Sequence, residues 1–218
     1  MIEVINVNKS YTQGSQQVNA LKNINLKIED GEFVAIIGKS GSGKSTLLHL
    51  LGGLDSANSG KILYNGQDIL HMKSKELNSF RRKYIGFIFQ DYNLIPELNG
   101  EQNIRFPAML AKKNVNKDYF EMLIDTLSIS DRMKHLPSEM SGGQQQRIAI
   151  ARAFINKPDI VLCDEPTGNL DSQNSDSVMK LIRTLKEELN QTVILVTHDL
   201  DYARLADRVI ELKDGEII

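Results

Sequence analysis

The chain has 218 residues, 41% of them hydrophobic, enough for one globular domain with a sizeable core and room for an inserted subdomain. Lysine and arginine number 26 against 28 aspartates and glutamates, a formal net charge of -2. There is no basic field of the kind that displaces counterions from a nucleic-acid backbone, and no nucleic acid is expected as a partner. The single Cys163 cannot close an internal disulfide and lies in the apolar run Ile160-Val161-Leu162-Cys163, which reads as a small buried hydrophobe in a reducing compartment.

The opening Met1-Ile2-Glu3-Val4-Ile5-Asn6-Val7 alternates apolar and polar residues like a strand and lacks the basic leader and apolar core of a secretory signal. Residues 1–28 and 60–64 read as meander strands, with turns expected at Gln13-Gly14-Ser15 and Asn65-Gly66. Short β-branched runs at 33–37, 85–89, 159–163, 192–197 and 208–212 alternate with helical patterns, the arrangement of a mainly parallel sheet with covering helices. Helices are expected to begin at Lys44, Gln173 and Leu200, and Val178, Leu181, Ile182, Leu185 and Leu189 mark one apolar face of the second. The mixed charges over 73–83 read as an exposed helix face. Residues 100–154 show no comparable strand and read as an inserted set of helices. The apolar runs fall far short of the roughly 20 residues that cross a bilayer, so a membrane role calls for a partner. The chain stops soon after its last expected strand, leaving no room for a regulatory domain.

Gly38-Lys39-Ser40-Gly41-Ser42-Gly43-Lys44-Ser45 fits the phosphate-loop pattern G-x-x-x-x-G-K-[ST], directly after an apolar strand and before the helical run that Thr46 opens. The glycines let backbone N–H groups turn inward around phosphates at a positive helix end; Lys44 neutralises β and γ oxygens, and Ser45 can ligate Mg²⁺. Gly38 to Thr46 is therefore the candidate ATP-binding stretch. The strand 160–163 ends in Asp164 and Glu165: Asp164 is placed to hold Mg²⁺ through water, and Glu165 to polarise an attacking water. Asn156-Lys157-Pro158-Asp159 matches the N-K-x-D guanine-selecting pattern of GTPases, but it precedes its strand instead of following one, and Pro158 reads as closing the helix before it.

Met140-Ser141-Gly142-Gly143-Gln144-Gln145-Gln146-Arg147 resembles the signature motif of the ABC (ATP-binding cassette) ATPases, with Met140 where that family usually has leucine, a volume-conserving change. Its physical logic is a second anion-binding turn: Gly142 and Gly143 allow close backbone approach, Ser141 can donate to phosphate, and a helix follows. The resemblance extends over essentially the whole chain and implies an α/β P-loop NTPase with a RecA-like core, an N-terminal antiparallel β-subdomain and an inserted helical subdomain at about 92–155. All of these would lie within one domain, 1–218. It implies ATP-dependent homodimerisation, in which Ser141, Gly142, Gly143 and Gln144 cover the ATP held by the opposite subunit.

The same resemblance assigns Tyr11 to adenine stacking, Gln90 to contact with Mg²⁺ and the attacking water, and Asp171 of Pro166-Thr167-Gly168-Asn169-Leu170-Asp171 to the face toward the opposite subunit. It assigns His198 to sensing the γ-phosphate. The Mg²⁺ set is then Ser45, Gln90 and, through water, Asp164. His49, His71 and His135 share no metal-ligand spacing and read as surface or packing residues. Residues 91–98, read as carrying exposed apolar side chains, match the region that receives a helix of an integral membrane permease, which places the subunit peripherally on the cytoplasmic face of the membrane. Residues 84–96, Glu101-Gln102-Asn103 and 165–171 are most similar to the bacterial branch of macrolide exporters, lipoprotein-release ATPases, cell-division ATPases and peptide-antibiotic transporters. That branch implies export or extraction of an amphipathic cargo, or alternatively a signalling complex that regulates cell-wall hydrolysis without transport. A chromosome or repair ATPase would carry a long coiled coil between Gln90 and Ser141, and a translation-factor relative would carry two cassettes; neither pattern is present.

Overall fold

The computed structural model describes residues 1–14 and 16–218, so Ser15 of the expected Gln13-Gly14-Ser15 turn lies outside the described residues. The chain begins with β1 (Ile2–Gln13) and β2 (Gln16–Ile28), an antiparallel hairpin whose register runs from Ile2 opposite Ile28 to Gln13 opposite Gln16. A register shift between Val4 and Val7 coincides with Asn6 in the left-handed region at φ 50°, a conformation that asparagine tolerates better than most side chains. The short buried strand β3 (Phe33–Ile37) leads through a glycine-rich turn into α1 (Lys44–Leu51). Next come β4 (Ser59–Tyr64), which pairs antiparallel with β1, the two-residue β5 (Gln67–Asp68), and α2 (Ser74–Tyr84). The expected Asn65-Gly66 turn joins β4 to β5, both residues at positive φ.

The middle of the chain supplies β6 (Ile85–Ile88), then α3 (Gly100–Leu110), α4 (Lys117–Thr126) and α5 (Gly142–Phe154) without an intervening strand. β7 (Ile160–Asp164) and the long α6 (Ser172–Leu189) follow. The chain closes with β8 (Thr192–Val196), the single turn α7 (Leu200–Ala203), β9 (Arg208–Lys213) and β10 (Glu216–Ile217).

These elements form two compact units, one of Met1–Arg81 with Thr192–Ile218 and one of Arg82–Gln191. In the first unit, an antiparallel sheet of order β2-β1-β4-β5 accompanies a set ordered β10-β9-β3-β8, in which β3 runs parallel to both β8 and β9. β3 and β8 are buried on both faces, which is why they read as unbroken apolar runs. α2 buries only Phe80, edge-on to the Tyr64 ring at 5.1 Å, and otherwise presents the charged face read from its sequence. In the second unit, β6 and β7 pair in parallel from Ile85 opposite Ile160 to Ile88 opposite Cys163. α6 buries Val178, Met179, Ile182 and Leu185 at helical spacing, each worth about 1.5–3 kcal/mol relative to exposure. It starts one residue earlier than expected because Asp171 caps it.

Candidate functional site

In the first unit the buried strand β3 delivers the chain to the phosphate loop. Gly43 is the N-cap of α1 at φ 103°, and a Cβ there would stand 2.4 Å from the Ala20 carbonyl oxygen, so both the conformation and the space require glycine. Lys44 is buried, and its ammonium donates to the Gly38 and Lys39 carbonyl oxygens at 2.8 and 3.0 Å, drawing the loop around its own lysine. Of its three donors, one remains for a phosphate oxygen. The Ser42 hydroxyl is buried with no hydrogen-bond partner among the described residues, an orphan polar group at the centre of a turn built for an oxygen-rich ligand. Lys39, Ser40, Gly41 and Ser45 are exposed and Thr46 is half-buried, so the rim of the loop is open to a ligand. No acidic residue stands in the first turn of α1 to oppose an anion.

Tyr11, on β1 and 42% exposed, is tied to this loop. Its hydroxyl donates to Asp55 Oδ2 at 2.7 Å and also hydrogen bonds with Thr46, while Lys9 Nζ donates to Asp55 Oδ1 at 2.7 Å and sits 4.6 Å from the ring centroid. Burial and the Asp55 contact raise the Tyr11 pKa. Burial pushes the Asp55 carboxyl up, but the hydrogen bonds from Lys9 and Tyr11 outweigh it and hold Asp55 below its ordinary value. At the carboxyl end of β8, buried Thr197 is followed by exposed His198 and by Asp199, whose carboxylate caps α7.

In the second unit β7 is buried through Cys163, whose thiol is pushed up by burial and by neighbouring Asp164, consistent with an inert packing residue. Asp164 and Glu165 emerge half-buried at its end, with Glu165 in the left-handed region at φ 46°. That conformation is costly for a non-glycine residue and typical of functional sites. The chain then turns through Gly168 N–H to Glu165 O at 3.0 Å. Asp171 accepts from Asn174 N–H at 2.9 Å and from Asn174 Nδ2 at 2.7 Å, which together hold its carboxyl below the ordinary range. At the start of α5, Ser141 and Gln144 form a capping box, Ser141 Oγ accepting from Gln144 N–H and Gln144 Oε1 accepting from Ser141 N–H. Gly142 and Gly143 are thereby fixed as its first residues, and Met140 is buried just before them.

Gln90, exposed just beyond β6, donates through Nε2 to Asn169 Oδ1 at 3.3 Å, and Asn169 Nδ2 donates to Gln90 O at 3.2 Å and to Asp91 Oδ1 at 2.8 Å. Gln146 of α5 donates to the Pro166 carbonyl at 2.6 Å. Arg152, also on α5, donates to the Tyr92 and Asn93 carbonyls at 2.6 and 2.5 Å, fixing two consecutive left-handed residues (φ 60° and 50°). Burial pulls the Arg152 pKa down to about 10, which leaves it cationic at neutral pH. Within this unit the structure therefore joins the Gln90 segment, the turn after Glu165 and the signature helix. Gln146 and Asn169 lie within the motifs at 140–147 and 166–171, but the sequence assigns them no role, and no short-range pattern marks Asp55 or Arg152, because the partners of all four are distant along the chain.

The segment 91–98 departs from its sequence reading. Tyr92, Leu94, Ile95 and Leu98 are half-buried and only Pro96 among its apolar residues is exposed. Fully buried Asn103 of α3 explains the order of this stretch: its Oδ1 accepts from Ile95 N–H at 2.8 Å, and its Nδ2 donates to the carbonyls of Ile95, Leu98 and Asn99. Nearby, a cavity of about 240 Å³ is lined by Arg82, Phe87, Phe89, Asn93, Pro107 and Arg152, with the two phenylalanine rings stacked 4.4 Å apart. In the N-K-x-D look-alike, Asn156 Nδ2 donates to the Arg82 carbonyl and Lys157 lies over the Tyr119 ring, which are packing contacts. His71 pairs with Asp68 on the surface, and His135 Nδ1 is buried without a partner among the described residues.

A family model described as ABC transporter matches residues 21–168. The chain is 46% identical over 220 residues to a macrolide export ATP-binding/permease protein, MacB, of a Shewanella species, covering all of this chain but 34% of that protein. It thus spans about a third of the length of the MacB relatives. It is 43% identical over 219 residues to the lipoprotein-releasing system ATP-binding protein LolD of Syntrophotalea carbinolica, covering 96% of that protein. Among solved structures, a dimeric ATP-binding cassette in a post-hydrolysis state bound to ADP and Pi aligns with a TM-score of 0.90 at 41% identity, covering all of this chain and 96% of that one. The α/β cassette fold expected from the sequence is the fold of these neighbours.

Proposed function

Because this chain belongs to the ABC transporter family of ATP-binding subunits, we propose that it hydrolyses ATP to ADP and phosphate as one half of a homodimer that drives a separate membrane permease. The observation that carries this reading is that one chain presents two glycine-containing helix starts suited to an anion, Gly43–Lys44 at α1 and Ser141–Gly142 at α5. In a two-fold dimer the second turn serves the nucleotide of the partner subunit, so each ATP is covered from both sides.

In this reading the backbone N–H groups of 38–45 and the Lys44 ammonium hold the β- and γ-phosphates, Thr46 and Ser42 complete the loop, and Tyr11 offers its ring face to adenine. Ser45, Gln90 and, through water, Asp164 supply oxygen donors only, a set suited to a hard Mg²⁺ ion. Held there with the nucleotide, that ion would supply neutralisation of phosphate charge. Glu165 orients and deprotonates the attacking water, and His198 fixes the γ-phosphate. Ser141, Gly142, Gly143 and Gln144 close on the partner's ATP, with Asp171 toward the same interface. Hydrolysis removes the bridging charge and the halves separate.

The permease holds the subunit at the cytoplasmic face of the membrane; no helix among the described residues is long and apolar enough to cross a membrane. Its docking helix is received by 91–98 together with the cavity beside the Phe87 and Phe89 rings. The relatives named for macrolide export and lipoprotein release support an amphipathic cargo. Co-purification with the native permease tests this reading. A stable complex whose ATPase is stimulated by an amphipathic ligand is expected, and a subunit that hydrolyses ATP but captures no permease would overturn it.

A further inference from the structure

We infer that Asn169 is a positioning residue for ATP hydrolysis, holding the Gln90 carboxamide in the orientation the reaction requires; this rests on the reading above that Gln90 serves the hydrolytic site. Gln90 is an exposed side chain with several rotatable bonds, so left alone it would sample many rotamers. Asn169 restrains it at both ends. Its Oδ1 accepts from Gln90 Nε2 at 3.3 Å, and its Nδ2 fixes the Gln90 carbonyl at 3.2 Å and the adjoining Asp91 carboxylate at 2.8 Å. The Tyr92 hydroxyl adds a longer bond, 3.4 Å, to the Asn169 carbonyl.

The polarity of this arrangement matters. With the amide nitrogen of Gln90 engaged by Asn169, the oxygen Oε1 is the end presented to a cation or to a water proton, the only end that can serve either. Gly168 supplies an independent constraint on the same side chain. A Cβ at position 168 would lie 2.8 Å from Gln90 Nε2 and 2.9 Å from its Cδ, so the glutamine occupies the space a methyl group there would need. The residue in question is thus seated by the turn that follows Glu165.

The test is a double-mutant cycle with Gln90→Ala, reading steady-state ATPase, the KM for ATP and half-saturating Mg²⁺ on the full chain. Asn169→Ala should lower kcat about 2- to 10-fold, the rate equivalent of a lost hydrogen bond, and raise the Mg²⁺ requirement with the KM for ATP nearly unchanged. Gly168→Ala, which displaces the glutamine sterically without touching Asn169, should do the same. Both effects should vanish when Gln90 is already alanine, since neither residue then has a side chain to seat. Equal losses in the Gln90→Ala background, or unchanged kcat and Mg²⁺ dependence in Asn169→Ala, would sink the inference while leaving the role of Gln90 intact. An unchanged kcat in Gln90→Ala itself would instead overturn the underlying reading and this inference with it. Should Asn169→Ala fail to fold, Asn169→Ser, whose shorter side chain removes the carboxamide that holds Gln90, decides the matter through the same cycle.

Discussion

The Tyr11 hydroxyl donates a 2.7 Å hydrogen bond to Asp55, which turns an exposed aromatic ring into a fixed one. A ring that stacks on a base contributes most when it is ordered before the ligand arrives. Asp55→Ala should therefore weaken ATP binding roughly 2- to 10-fold with little change in kcat, measured by titration with a fluorescent nucleotide. The carboxylate also gives a pH signature. Its pKa is held below the ordinary carboxylate value by Lys9 and Tyr11, so its stabilisation is fully present above the unfolded value of about 3.9 and is lost as pH falls through the lower folded value. The difference in melting temperature between the wild type and Asp55→Asn should shrink below about pH 4. A gap that stays constant with pH contradicts the assignment.

Lys44 is buried and anchored to two loop carbonyls. Lys44→Ala removes both the loop restraint and the phosphate charge partner, and nucleotide affinity should fall roughly 10- to 100-fold, consistent with hydrogen bonds to charged groups. Equilibrium binding without turnover measures it.

Glu165→Gln keeps the side-chain volume but removes the carboxylate proposed as the base. Turnover should drop by at least about 100-fold while ATP binding persists, and Mg-ATP should trap a dimer visible by size-exclusion chromatography with light scattering. Hydrolysis at the wild-type rate removes Glu165 from its role.

Asn103 is fully buried with four backbone hydrogen bonds. Its replacement by alanine takes a partner from the Ile95 N–H and the Leu98 carbonyl and leaves a cavity, and a loss of about 2–4 kcal/mol in denaturant unfolding is expected. Asn99→Ala at the half-buried cap of the same helix should cost about 1 kcal/mol.

What could be read in advance was whatever is written contiguously. The strand at 33–37, the glycine loop and the lysine that follows it are consecutive, so pattern and chemistry coincide in one stretch of chain, and the structure places β3 and α1 where the sequence does. Aspartate before a polar helix start is a common capping signal, and Asp171 accordingly starts α6 at Ser172, one residue before the Gln173 that the apolar spacing suggests. The contacts made by Asn169 and Asp55 are not legible this way. Their partners lie 79 and 44 positions distant, and neither residue type is unusual for a turn. The exposure assigned to 91–98 failed because apolar residues without periodicity do not reveal which side is covered; Asn103, which orders that stretch, reveals itself only through contacts.

The Asn103 clamp also bears on how force passes through the molecule. A loop free to flex would act as a soft spring, absorbing displacement before the hydrolytic machinery felt any. Because residues 95–99 are bound to the first turns of α3 by a buried side chain, and Tyr92 and Asn93 are bound to α5 by Arg152, the stretch after Gln90 is stiff at both ends. If the permease docks there as proposed, a push on this stretch would be passed on with little loss, and a mutation that softened it would uncouple the stroke while leaving each chemical step intact.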